Sequence, residues 1–255
     1  AWCGGTEGGQ LKAAFRPRPM KSEKKLMKPF FQPTDRMADL ILSCHRLISV
    51  LPRFGIQFGF ADRSVSEVCA QYGADTTLFL EICNMYASPD YCPSVAVPSP
   101  AYIRGLLTYL ESSHRYYRDE RLPHIADHLL HLSASLENLE REMIQHFFNQ
   151  YREEADKHFS YEEQHVFPYV EQLASGQTAA YRIHDFEESH GDIEEKLADL
   201  ISLIIKYLPG DTLPRERASI LFDLFNLSAD LAAHTRIESK LLVGIARAME
   251  KSLKP

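Results

Sequence analysis

The stretch His158-Phe-Ser-Tyr-Glu162-Glu163-Gln-His165-Val-Phe167-Pro168 sets a histidine and a glutamate four residues apart among mixed charged and apolar neighbours, as a half-buried helix would. At about 3.6 residues per turn, His158 and Glu162 leave one face of a helix with their tips close together. A helix of that kind can hand one nitrogen and one carboxylate to a shared cation. His234 and Glu238 repeat the spacing, and one histidine lies upstream of each pair, His114 and His190. The interval from His114 to His158 equals that from His190 to His234, 44 residues in each case. Each half then reads as a helix with a histidine, a turn, and a helix with His-x-x-x-Glu. Two such halves packed about a pseudo-two-fold axis would bring six ligands to one point. The spacing by itself does not decide, because His184–Glu188 and His190–Glu194 share it and such pairs are commonly surface ion pairs. The repeated interval, one set per helix, is the discriminating feature; a bundle whose histidines are merely satisfied is the alternative.

Around this stretch the chain reads as four long helices. The first runs over about 101–132, begun by Ser99 or Pro100 and kinked near Pro123. The second covers about 135–173 and ends before Ser175-Gly176. The third covers about 178–208 and stops at Pro209-Gly210, and the fourth runs from Pro214 to about Lys251. Helices of this length joined by short turns predict an antiparallel up-down-up-down four-helix bundle over 101–252. Sustained period-two alternation and Asn-Gly hairpins are both missing, so the predicted class is all-α.

Four prolines between residues 88 and 100 predict a Pro/Ser linker. Before it, 35–87 reads as a small helical module. Asp35 or Asp39 is a candidate cap for a helix through about Val50. Ser64 with Glu67 forms a capping box over Val65–Tyr72, and Asp75 caps Thr76–Tyr86. Residues 1–34 read as a disordered leader or an expression remnant, with Met20 and Met27 as candidate natural starts and no secretory h-region.

Of the 255 residues, 45% are hydrophobic and 25% charged, with a net charge of −7 and no basic face, which argues against a nucleic-acid partner. Apolar runs fall short of the roughly 18 residues that span a bilayer. Cys3, Cys44, Cys69, Cys83 and Cys92 are scattered and odd in number, so a reducing cytoplasm is expected. Cys69 and Cys83 read as buried apolar thiols. Ten of the eleven histidines lie beyond residue 110. Of these, His124, His128, His131, His146 and His165 fit no second matched set and read as structural or surface residues.

The segment His158 to Pro168 resembles the H-x-x-x-E-E-x-x-x-F-P signature of hemerythrin-like domains. Glu188-Ser189-His190 is similar to their third-helix E-S-x-H segment, His234 and Glu238 to the fourth-helix pair, and His114 before Leu122-Pro123 to the first-helix histidine. The spacing of these four segments resembles that of the iron–sulfur cluster repair di-iron family, also called repair of iron centres. Leu51 to Ile56 and Arg63 to Cys69 resemble the short domain that precedes the bundle in that family. Its adjacent Cys-Cys pair is absent here, where Phe58-Gly59-Phe60-Ala61 stands instead, and Leu242-Val243-Gly244-Ile245 replaces the usual Phe-Pro after Glu238.

The resemblance implies two non-haem iron ions, oxo- or hydroxo-bridged, held by His114, His158, Glu162, His190, His234 and Glu238. Imidazole and carboxylate ligands suit iron. Glu163, Glu188 and Asp185 are candidates to orient the histidines from behind, and Tyr116, Tyr117 and Tyr161 to line the pocket or tune its redox chemistry. Small ligands (O2, NO or peroxide) and iron–sulfur proteins are the implied partners. The implied function is cluster repair or a nitrosative or oxidative stress response. The alternative is a non-enzymatic O2 or NO binder or sensor, and whether the protein is an enzyme stays open.

Overall fold

The structure is a computed structural model that describes residues 30–93, 98–134, 136–177, 181–184, 186, 192–209 and 213–253. Residues 31–255 form one compact unit. The first helix, α1 (Met37–Ser43), begins without a side-chain cap. Asp35, expected to supply one, accepts instead from the Gln32 amide at 2.8 Å. Nor does the helix run on to Val50. Cys44 is extended, a 3-10 turn follows over His45–Ile48, and α2 occupies Val50–Arg53. The Ser43 and Ser49 hydroxyls donate to the carbonyls of Leu40 and Arg46 on either side of this break.

Helix α3 (Val65–Tyr72) carries the expected capping box of Ser64 and Glu67, and Gly73 closes it with a φ of 68°, where a side chain would be strained. Asp75 caps α4 (Thr76–Ala87), accepting from the Leu78 amide. The end of the predicted leader is tied down here. The Phe31 amide donates to Asn84 Oδ1 at 2.8 Å, and the Ser66 amide to the Pro33 carbonyl. Residues 1–29 of that leader, and 94–97 of the linker, lie outside the described residues.

Ser99 caps α5 (Pro100–Arg115), with proline at the position whose N–H the first turn leaves unbonded. Tyr102, Ile103, Leu106, Leu107 and Leu110 form its buried stripe. Gly105 sits where α5 crosses α4, and a Cβ there would meet Leu78 at 3.1 Å. One turn of π-helix (Tyr116–Arg121) then leads into α6 (Leu122–Ser133), in place of a simple proline kink. The second bundle helix is α7 (Asn138–Tyr161), a π turn (Glu162–Val166) and α8 (Phe167–Ala174). The third is α9 (Asp192–Lys206). The fourth is α10 (Pro214–Ile237), a π turn (Glu238–Leu242) and α11 (Val243–Ser252).

The third helix is not continuous from Thr178 as predicted, for Tyr181 and Arg182 are not helical. The Ile183 amide donates to Glu250 Oε1 rather than to a carbonyl one turn back, and the Tyr181 ring packs on Tyr169. Helices α6, α7, α9 and α10 close a ring, each packed on the next, while α5 and α11 both pack on α8. The fold is an all-α helical bundle, and among the described residues only one isolated β-bridge occurs, Arg36 with Ser64.

Two apolar clusters fill the interior. One joins α1–α5 to residues 166–173 and 237–249, and the other fills the α6, α7, α9 and α10 end. Along three of the bundle helices the change of cluster falls near one level: Leu110 to Tyr117 on the first, Phe159 to Val166 on the second, Leu231 to Ala233 on the fourth. His114, Glu162, His234 and Glu238 lie at that level.

Candidate metal centre

Each of these four side chains is where it is because its helix presents it inward between apolar neighbours one turn away. His114 follows Leu110 on the buried stripe of α5 and is fully buried, as are Glu162 and Glu238; His234 is 2% exposed. Their donor atoms lie within 4.8 Å of one another. His114 Nε2 is 3.0 Å from Glu162 Oε2, 3.2 Å from His234 Nε2 and 3.9 Å from Glu238 Oε1. His234 Nε2 is 2.7 Å from Glu238 Oε1. His158 joins from the rim: its side chain is 20% exposed and its Nε2 lies 3.2 Å from Glu162 Oε1. His190 lies outside the described residues, as do Asp185 and Glu188. Four of the six predicted side chains thus share one cluster, and His158 touches it through Glu162.

The helical register at this level is not that of an ordinary α-helix. A π turn begins at Glu162, another at Glu238, and a third two residues beyond His114. Single π turns of this kind are often found at functional sites. Pro123 and Pro168 follow two of them, where the missing N–H removes one regular bond. Val243-Gly244 follows the third, and the π turn forms there as well, so proline is not its cause.

Glu163 is the orienting group. Its Oε1 accepts from His114 Nδ1 at 2.9 Å and from Arg118 Nη1 at 2.7 Å. This fixes the proton on Nδ1 and leaves Nε2 facing the cluster. The hydrogen bond from His114, with Arg118 beside it, holds the Glu163 carboxyl below its ordinary pKa. Arg118 is itself held by Asp156 and Ser160 and lies over the Phe159 ring. Sequence reasoning passed over Arg118, although it stands one turn after His114 on the same helix. The His114 ring lies stacked against Phe159 and Phe167, with centroids at 4.5 and 5.5 Å. Of the three tyrosines singled out in sequence, Tyr117 reaches the centre, edge-on to His234 at 5.5 Å. Tyr116 lies under Arg53, and Tyr161 pairs with Tyr181.

Two imidazoles and two carboxylates meet in an apolar shell. Burial alone would lower the His114 pKa, but hydrogen bonds to Glu162, Glu163 and Glu238 raise it to about 10. With no cation bound, a proton thus partly neutralises the cluster. His114 and His234 direct ring nitrogens at each other, and His234 Nδ1 has no hydrogen-bond partner among the described residues. A divalent cation between the Nε2 atoms and the carboxylates fits this donor set, since nitrogen and oxygen ligands of these types suit the first-row transition metals.

A second buried polar group, unforeseen from sequence, lies one turn away along α10. Arg53 of α2 donates to Asp230 Oδ2 and, at 2.8 Å, to the Tyr86 hydroxyl. The Tyr86 hydroxyl donates to Asp230 Oδ1 at 2.8 Å, and the Ser49 hydroxyl donates to the same oxygen at 3.1 Å. This pair ties the N-terminal helices to the bundle.

The family model described as the hemerythrin HHE cation-binding domain matches residues 107–246, more than half of the chain. No curated protein matches it. Among the described residues no helix is long and apolar enough to cross a membrane.

Proposed function

Since this chain belongs to the hemerythrin HHE cation-binding domain family, we propose that its bundle holds two non-haem irons and binds a small ligand (O2, NO or peroxide) in the response to nitrosative or oxidative stress. The observation that carries this reading is the way Glu162 is shared. Its Oε2 faces His114 and its Oε1 faces His158, at 3.0 and 3.2 Å. A carboxylate whose two oxygens meet two different imidazoles is arranged to span two ions rather than to chelate one. His114, His158, Glu162, His234 and Glu238 would hold the pair, with His190 as the sixth ligand. When bound, iron supplies open coordination positions and reversible electron transfer for a diatomic ligand.

The chain's own residues shape what can enter. Beside His158 and His234 lies a hollow of about 40 Å³, walled by Phe159, Ile193, Leu231 and Thr235. Space of roughly 10–15 Å³ on this measure admits one water, so the hollow has room for a small molecule. Phe159 and Leu231 give the hollow apolar walls, and Glu163 keeps the His114 nitrogen aimed inward. Free thiols at Cys44, Cys69 and Cys83 support a reducing, cytoplasmic setting.

A second reading, repair of iron–sulfur clusters by iron donation, is favoured by one feature. The segments that resemble the repair family's N-terminal domain share an apolar core with the bundle through Leu51, Ile56, Val65 and Val68. Against it stands the loop at Phe58-Gly59-Phe60-Ala61, which turns Phe58 to solvent where that family carries thiols.

Iron analysis after anaerobic loading is expected to give two irons per chain, and a content well below one would end both readings. Restored activity of a nitric-oxide-damaged [4Fe–4S] enzyme, by the intact chain and not by His158→Ala, would select repair. Binding of NO without restoration selects the small-ligand reading.

A further inference from the structure

On α6, His124 and His128 stand four residues apart, and α10 brings Asp223 against both. His124 Nε2 lies 3.4 Å and His128 Nδ1 3.0 Å from the same atom, Asp223 Oδ2. The three donor atoms all lie within 4.8 Å of one another, and the two rings are 4.3 Å apart. The other carboxylate oxygen, Oδ1, accepts from Arg121 Nη2 at 3.2 Å. The imidazoles are 46% and 39% exposed and the Asp223 side chain 19%.

We propose that His124, His128 and Asp223 form a second, solvent-facing site for a divalent transition cation of the Zn²⁺ class, joining α6 to α10. Zinc–ligand bonds of about 2.0–2.2 Å put neighbouring donors of a tetrahedral or octahedral shell roughly 3.0–3.5 Å apart, and both imidazole nitrogens stand at that distance from the Asp223 oxygen. Two nitrogens and one oxygen favour a borderline cation over Ca²⁺ or Mg²⁺, which want oxygen alone. Ordinary ion pairing explains the group poorly. Arg121 already satisfies the Asp223 charge through Oδ1, yet both imidazoles converge on the remaining oxygen.

Three protein donors leave coordination positions open, as catalytic and exchangeable sites do. The same Asp223 and Arg121 line a cleft of about 250 Å³ with Tyr116, Asn226 and Asp230. Water or a small anion can complete the shell from that side. None of the three donors belongs to the buried cluster, and the site stands whatever cation that cluster holds.

Titration of the full chain with Zn²⁺ by calorimetry, its central site loaded beforehand, tests the proposal. The intact chain is expected to take up one further Zn²⁺. The double variant His124→Ala/His128→Ala should bind it at least as much more weakly as the roughly 10- to 100-fold that loss of an outer partner costs. Asp223→Asn should show the same loss. Iron content and helical circular dichroism should be unchanged in the double variant, since both rings are at the surface. A double variant with the isotherm of the intact chain, or an intact chain with no uptake beyond the central site, would overturn the proposal. Because the readout is a difference in Zn²⁺ uptake, a failure of the di-iron reading would leave it legible.

Discussion

Asp230 and His234 stand one turn apart on α10, yet they belong to buried polar groups of opposite character. Around Asp230 the charges balance: one carboxylate meets one guanidinium, with Tyr86 and Ser49 donating to what remains. Burial alone would raise the Asp230 pKa, but the Arg53 charge and its hydrogen bonds lower it, and Arg53 is likewise held above its ordinary range by its neighbours. Around His234 the partners are of another kind. Glu162 and Glu238 are both buried, and the side chains found against them are imidazoles rather than a guanidinium. A carboxylate–guanidinium pair serves packing and position, whereas buried carboxylates beside imidazoles make a donor set for a cation.

That contrast can be broken most forcefully at Arg53. Arg53→Met strands Asp230 in the core and is expected to cost about 3–5 kcal/mol of unfolding free energy, read by denaturant titration. Replacing both partners, as Arg53→Met/Asp230→Leu, should recover most of it. The pair also sets an acid limit. A depressed Asp230 pKa means that its stabilisation is present above the ordinary carboxylate value of about 3.9 and is lost as pH falls through the lower folded value. The double variant should lack that loss, and an identical acid profile would remove Asp230 as its source.

Next in size is Glu163→Gln, which weakens the acceptor behind His114. Metal affinity should fall by roughly 10- to 100-fold, measured by competition with a chelator. Stability of the metal-free chain should move by less than about 1 kcal/mol, as befits a partly exposed group. The smallest effect is the most telling. In the metal-free protein Glu238→Gln removes one of two buried carboxylates beside His114 and should leave stability within about 1 kcal/mol of the original or raise it, while metal uptake collapses. A loss as large as that of Arg53→Met would mean that the two groups do not differ in kind.

Much of this was legible without coordinates. The His-x-x-x-Glu pairs report on one helix face, so Glu162 with His158 and Glu238 with His234 follow from periodicity. Ser64, Asp75 and Ser99 announce their helices because capping acts over three residues. The break at Cys44 was missed because apolar periodicity does not record a single residue turning extended. Arg53 with Asp230 was missed for a different reason: 177 residues separate them, and nothing in either residue type signals burial.

The order of residues along each helix determined the bundle and which side chains share a face, since both follow from a fixed number of residues per turn. Only the tertiary packing decided that Glu163 and Arg118 stand behind His114, that Asp230 has its own cation, and that Asp223 meets two histidines at the surface. Those pairings are set by which helices are neighbours and at what height. Packing across a bundle fixes that, and local spacing does not.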